Sequence, residues 1–418
     1  MSIIPIAQKI KQAGGTLYLV GGAVRDEYLK RPITDEDYCI TGLTQGKFTQ
    51  VFPEAISQGK NVPVWRLAGK EFALARTEQK IGKGHTNFST RTDPKITIKQ
   101  DLARRDITIN SMAKEVLTGK IIDPYQGRKD ADQKLLRATS THFSEDPLRV
   151  YRIARLAASL GFAVEKNTKT LMKELIPELN TLSVERVTEE LKKALDTNQP
   201  SLFFRVLQDI EALNVHFPEL EKLIGAEQPI EYHPEGDAFE HTMMTLDEAT
   251  KLTQNHTNRI AIRFSSLVHD IGKGLTPKSE YPHHYGHDEK GVALVEKLGN
   301  RLKLPTKWIR SGKIACREHM RGGIFSRMKP ATKVDFLERV NKSTLGLEGL
   351  QIIVWADQAN GRRQEKEHDF AYLGKQMLTK VTGKQIKQNH ESLTGPAFKA
   401  KLREERIKWI KLNYQAKT

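Results

Sequence analysis

The sequence predicts an α+β head followed by an all-α remainder, and three observations carry that expectation. Short β-rich or alternating runs are confined to the residues before about Ala138. Beyond Ser144 apolar residues recur at helical spacing, punctuated by Pro177, Pro200, Pro218, Pro234, Pro305 and Pro330. At 418 residues the chain is also long enough for more than one buried core. The expected division is a head over 1–138, a helical neck over 139–225, a further helical domain over 226–345 and a helical tail over 346–418.

In the head, Leu17–Val20, Tyr38–Thr41, Val62–Leu67, Phe72–Ala75 and Lys120–Ile122 read as strands. The first meets Gly21-Gly22, a turn that opens a helix, and such a turn lets backbone N–H groups approach a phosphate closely. Asp35 and Asp37 sit two apart at the start of the second strand. A period of two points both carboxylates to one face, where Mg²⁺ takes oxygen ligands. A phosphate cradle followed by a metal pair describes nucleotidyl transfer.

Asp101 to Asn110 has helical spacing and places Arg105 and Asn110 where a nucleotide could meet them, although the spacing equally describes an amphipathic surface helix. Ile121 to Gly127 reads as a strand ending in a turn. From Glu145 to Arg155 a helix is expected, with Ser144 as N-cap and Pro147 in the first turn. Glu145, Asp146, Arg149, Arg152 and Arg155 fill one half of its wheel. Solvated helices also carry charged faces, but a carboxylate beside a guanidinium can read a base edge. An Asp can accept from an exocyclic amino group while an Arg donates to an adjacent ring acceptor, a pattern that cytosine and adenine offer and uracil and guanine do not.

The net charge of +16 suits a polyanionic partner, nucleic acid first, although a generally basic surface gives the same sum. Cys39 and Cys316 are too few and too isolated for a disulfide framework or a cysteine zinc site, and read as buried fillers in a reducing compartment. The first fifteen residues lack the length and order of a signal peptide or spanning helix, so no membrane is expected and the reading is cytoplasmic. Farther on, an apolar helix ends at His269-Asp270 before a glycine, with His241 upstream and His283, His284, His287, His319 and Asp357 downstream. After Lys375 a basic helix is expected to pack Leu402, Ile407 and Ile410 and to offer its cations to RNA or solvent.

Five motifs then stand in order: Gly-Gly-x-x-Arg-Asp at Gly21–Asp26, Asp-x-Asp at Asp35 and Asp37, Arg-Arg-Asp at Arg104–Asp106, Asp-Pro-x-x-Gly at Asp123, and Glu-Asp-x-x-Arg at Glu145–Arg149. With them the chain resembles, over nearly its whole length, the bacterial class II tRNA nucleotidyltransferases, the CCA-adding enzymes, in the form that carries an HD domain. The resemblance implies a polymerase-β-type head, a mixed sheet with helices. It implies that Gly22 and Arg25 contact the triphosphate, Asp35 and Asp37 hold Mg²⁺, and Arg105, Arg152 and Arg155 complete the nucleotide site. Asp146 and Arg149 would select CTP and then ATP for the tRNA end, and Glu71 stands where relatives often place a third acid. Gly82 to Thr97 would be the flexible loop used in adding A, and Asn110-Ser111 departs from the usual Asn-Ala.

For the HD domain the resemblance implies His241, His269, Asp270 and Asp357 as metal ligands, with His287 and His319 at a second position. Imidazole with carboxylate suits Ni²⁺, Mn²⁺ or Zn²⁺. Relatives use this domain for phosphatase, 2′-nucleotidase and 2′,3′-cyclic phosphodiesterase activity. Three rivals remain: a poly(A) polymerase, which would carry a Gly-Arg-Arg-Phe type segment where this chain has Val62 to Gly69, an enzyme adding only A or only C-C, and an RNA-binding protein with a decayed head. Monomer and homodimer are both open.

Overall fold

The computed structural model describes residues 2–58, 64–80, 88–359 and 369–414. The chain forms two compact units, Met1–Arg186 with Asp209–Ala212, and Val187–Gln208 with Leu213–Thr418.

The strands of the first unit are β1 (Thr16–Val20), β2 (Asp37–Thr41), β3 (Ile56–Gln58), β4 (Val64–Leu67), β5 (Lys70–Leu74), β6 (Arg76–Lys80), β7 (Phe88–Thr92), β8 (Ala113–Glu115), β9 (Ile121–Ile122), β10 (Leu135–Leu136) and β11 (Ala163–Val164). Seven of them make one sheet in the order β3-β4-β5-β2-β1-β8-β9. Only the β2–β5 pair is parallel, so the sheet is mixed, as the resemblance implied. Alternation along β2 sends Tyr38 and Ile40 into a cluster with Leu17, Phe48, Trp65 and Phe72, and Cys39 into another with Val20, Leu102 and Ala113. Asp37 shares the parity of Cys39 and stands at the open end of that second face.

Several expectations shift. Residues 62 and 63 lie outside the described residues, and β4 covers the remainder of its predicted run. Of the expected loop Gly82 to Thr97, residues 82–87 also lie outside them, while Phe88–Thr92 pairs with Arg76–Lys80 as a hairpin. The helix over Asp101 to Asn110 is shorter than predicted: it spans Ile98–Ala103, and a 3₁₀ turn at Thr108–Asn110 follows. Asp101, Asp106 and Asn110 are buried there, so this is no surface helix. Among the described residues beyond Ser144 the regular elements are helical apart from β11, which pairs in parallel with β10 and is too short to show a period, and an isolated bridge between Glu227 and Asp237.

The second unit is built from helices around Phe325, Phe336, Leu350, Ile353 and Phe370. Ile410 of the last helix, Gly395–Asn413, is buried as expected. Its Arg406 turns inward to Glu338 and the Val381 carbonyl, so that cation serves packing. Five elements converge on one site: the helices Ala238–Leu252, Arg259–Val268, His287–Arg301, Thr306–Gly323 and Gly346–Ala359. In the 3₁₀ turn Ile271–Leu275, Gly272 permits a close approach to the third of these helices, since a Cβ there would stand 2.0 Å from the His287 carbonyl oxygen.

Gly272→Ala must therefore push the His287 helix away. It is expected to cost about 1–3 kcal/mol, read as a lower unfolding temperature by calorimetry, and an unchanged temperature would contradict the close packing.

Candidate functional site

Strand register assembles the first site. Val20 at the end of β1 pairs with Asp37, and Asp37 pairs on its other side with Glu71 of β5, so the Gly-Gly turn and two acids lie abreast at one end of the three central strands. Asp35 precedes β2 and is exposed. Although Asp37 is also exposed as a residue, partial desolvation of its carboxyl pushes its pKa above the ordinary range. The charge of Asp35 acts in the same sense, Arg105 opposes it and Glu71 adds to it. Mutually repelling carboxylates at a strand edge fit a hard divalent cation.

Gly21 has φ +73, and a Cβ there would lie 2.8 Å from Nη1 of Arg105. Arg105 donates from Nη2 to Asp101 at 3.5 Å, while its Nε is buried without a partner among the described residues, a donor suited to an anion. Behind the turn a relay of polar contacts ties three segments together. Arg152 donates from Nε and Nη2 to Oδ2 of Asp106 at 3.0 and 2.8 Å. Asp106 accepts on Oδ1 from Asn110 at 3.2 Å, and Asn110 accepts from Nη1 of Arg25 at 2.7 Å. Arg25 also holds Asp26 with Nε and Nη2. Burial alone would raise the Asp106 pKa, but the charge and hydrogen bonds of Arg152, with Arg149 and Asn110, hold it well below the carboxylate range. Ser111, the departure from the usual motif, donates to the Ile107 carbonyl at 2.9 Å and meets Thr139 at 2.7 Å, so its hydroxyl is satisfied.

The predicted helix over Glu145 to Arg155 needs correction. A 3₁₀ turn covers Thr141–Glu145 with Ser140, not Ser144, as its cap, and the α-helix begins at Arg149. Pro147 forces Asp146 into extended backbone, which separates the two elements. Asp146 instead accepts from the Leu148 N–H on Oδ1 at 3.0 Å and from Nη2 of Arg186 on Oδ2 at 2.8 Å. Arg149 is buried, donating to the carbonyls of His142 and Arg104. Gly21, Gly22, Asp37, Arg105, Asp106, Asn110, Asp146, Arg149 and Arg152 line one cleft together with Arg76, Arg104 and Arg186. Glu71 lines the adjoining hollow beside Asp37, whereas Arg155 is on neither lining.

In the second unit His241, His269, Asp270 and Asp357 bring their ligand atoms within 4.8 Å of one another, and Asp270 shares a second such group with His287 and His319. Nε2 of His241 lies 2.9 Å from Asp357, and Nε2 of His269 lies 3.3 Å from Asp270. Each imidazole is oriented from behind. Nδ1 of His269 meets the Ser266 carbonyl at 2.7 Å, that of His287 the His284 carbonyl at 2.7 Å, that of His319 the Cys316 carbonyl at 2.8 Å, and that of His241 meets Glu235 at 2.6 Å. With Nδ1 donating, every Nε2 lone pair faces inward. Among the described residues, Nε2 of His269 and Oδ1 of Asp270 are buried without hydrogen-bond partners, which fits a cation among them. Burial works against a charge on His269, yet Asp270 and Asp357 raise its pKa to about 10, and the same field favours a divalent ion.

The family model described as "Poly A polymerase head domain" matches residues 17–137, "Probable RNA and SrmB- binding site of polymerase A" matches 161–224, and "HD domain" matches 238–353. A multifunctional CCA protein of Mannheimia succiniciproducens is 41% identical over 350 residues, 81% of this chain and 83% of that protein. The chain belongs to the multifunctional CCA protein family. A Haemophilus influenzae multifunctional CCA protein is 43% identical over 72% of this chain and 74% of its own length. Among solved structures, a Thermotoga maritima CCA-adding enzyme complexed with tRNA superposes with TM-score 0.67 at 18% identity, covering 98% of this chain and 91% of that one. A Bacillus stearothermophilus CCA-adding enzyme in complex with CTP gives 0.60 at 20% identity, with 99% and 93% covered. These two likenesses concern the fold. No described helix is long and apolar enough to cross a membrane.

For this member of the multifunctional CCA protein family, the residues that sequence reasoning missed include Arg186, Lys273 and Glu235. Arg186 reaches Asp146 from forty positions away, with no local signal to mark it. Lys273, three residues past Asp270, pairs with it at 2.6 Å. Glu235 was legible in principle, as an acid six residues before a candidate ligand in His233-Pro234-Glu235. It accepts from His241 and also from His233 at 3.1 Å. Glu235→Ala should weaken Mn²⁺ binding roughly 10–100-fold in titration calorimetry, the range for loss of a ligand's supporting partner, and unaltered affinity would remove Glu235 from the site.

Proposed function

We propose that this chain builds and repairs the 3′-terminal CCA of tRNA from CTP and ATP, in the cytoplasm. The observation that carries the reading is the end of the central strands, where Gly21-Gly22, Asp37 and Glu71 stand abreast beside a cleft lined by six arginines and Asp146. The names of the relatives, multifunctional CCA protein and CCA-adding enzyme, support it. The head matches a poly(A) polymerase family model, but relatives at 41% and 43% identity favour CCA over poly(A).

In the reaction the tRNA 3′-oxygen attacks the α-phosphorus, a new O–P bond forms and the bond to pyrophosphate breaks. Asp35 and Asp37, with Glu71 beside them, supply oxygens for Mg²⁺, which when bound activates the hydroxyl and stabilises the departing charge. Arg105 and the Gly21-Gly22 backbone hold the triphosphate, while Arg25 and Arg152 keep that wall in place through Asn110 and Asp106. Arg155, off the cleft lining, is assigned to the incoming tRNA or nucleotide. Asp146 accepts from the amino group of cytosine or adenine, and Arg149, fixed by two carbonyls, donates to the neighbouring ring nitrogen.

The division into head 1–138, neck 139–225, HD domain 226–345 and tail 346–418 belongs to the same proposal, with the tail lending Asp357 to the HD cluster. The buried imidazoles and carboxylates of that cluster suit Ni²⁺ or Mn²⁺ and a phosphohydrolase acting on phosphatase, 2′-nucleotidase and 2′,3′-cyclic phosphodiesterase substrates.

A tRNA transcript lacking its 3′ end, given each nucleoside triphosphate alone and then CTP with ATP, should gain C, C and A and then stop. Asp35→Ala/Asp37→Ala should lower the rate by on the order of 10³ or more. Extension by A alone, by C-C alone or without arrest would replace the reading with one of its rivals.

A further inference from the structure

We infer that the hollow over the HD cluster contains a nucleobase subsite whose stacking face is Tyr285. The inference deepens the phosphohydrolase reading above and rests on it. The hollow, about 440 Å³, has two kinds of wall. Its floor is polar: His287, His319 and Asp357 line it together with Lys273, whose Nζ is bound to Asp270 and Gln228 at 2.6 Å each. Nε2 of Gln228 is buried without a partner among the described residues, an amide donor that a phosphate oxygen or ribose hydroxyl would satisfy. Cation ligands, an ammonium and an unpartnered N–H together recognise a phosphate.

The rim has the opposite character. Tyr232, Tyr285, Met320 and Ile324 are 55%, 71%, 50% and 45% exposed, and all four line the hollow. Apolar side chains gathered beside an ion-binding floor indicate a ligand with an apolar part. Tyr285 is stacked on His283, ring centroids 5.7 Å apart and planes 26° off parallel. One face of the tyrosine is thereby covered and the ring oriented, while its exposure leaves the other face for a ligand. A phosphate alone would make no use of this rim. A nucleoside carrying its phosphate on the 2′-oxygen uses both walls, with the phosphate on the floor and the base against Tyr285.

The test compares hydrolysis of adenosine 2′-phosphate with that of glycerol 2-phosphate by the full chain loaded with Mn²⁺. Tyr285→Ala should lower the nucleotide-to-glycerol ratio of kcat/KM by about tenfold through the KM for the nucleotide, the scale of one lost base stack, and Tyr285→Phe should keep the ratio. The exposed position makes misfolding an unsuitable explanation for such a change. A ratio that Tyr285→Ala leaves unaltered, whether both substrates change in parallel or neither does, would overturn the subsite and leave the phosphohydrolase reading standing. Hydrolysis of neither substrate by the wild type, with Mn²⁺ or with Ni²⁺, would overturn that reading and the subsite with it.

Discussion

The head depends on the pairing of β1, β2 and β5 in one register. Because Val20, Asp37 and Glu71 are paired across three adjacent strands, the turn after β1 emerges beside the two acids without help from any long-range loop. A slip of one residue in β2 would send Asp37 to the opposite face and Tyr38 out of its stack on Phe72. The apolar cluster of Tyr38, Phe48, Trp65 and Phe72 therefore fixes the placement of the acids, and the core and the chemistry are two sides of the same strands.

Charge is arranged differently in the two units. In the head, cationic side chains outnumber acids along the cleft; Asp106 and Asp146 on its lining, and Asp101 in the adjoining hollow, each hold an arginine in place. Such a wall stays poised for a triphosphate, because its guanidiniums are oriented before any ligand arrives. In the helical unit buried carboxylates and imidazoles face one another, and Asp270 and Asp357 are held well below the usual carboxylate range by Lys273 and the histidines against the cost of burial.

What the sequence made legible follows from how local each signal is. Gly21-Gly22, Asp35 and Asp37 could be read because cradle and acid pair lie within one strand–helix–strand segment, and the four expected HD ligands do converge. Glu71 is legible only through the family resemblance, since its place beside Asp37 comes from a parallel pairing that no local pattern records. The helical wheel drawn through Glu145 failed because Pro147 breaks the helix, and Asp146 acts from an extended turn instead. Arg186 and Gln228 were invisible for a related reason: each gains its role from a partner forty or more positions away.

If one end of the central strands holds both the metal and the triphosphate, crystals grown with Mn²⁺ and a non-hydrolysable CTP analogue should show, by anomalous diffraction at the manganese edge, manganese between Asp35 and Asp37, with the nucleotide phosphates against Gly21-Gly22 and the cytosine edge at Asp146 and Arg149. Manganese or phosphate bound elsewhere in the head, with those two acids unliganded, would contradict it.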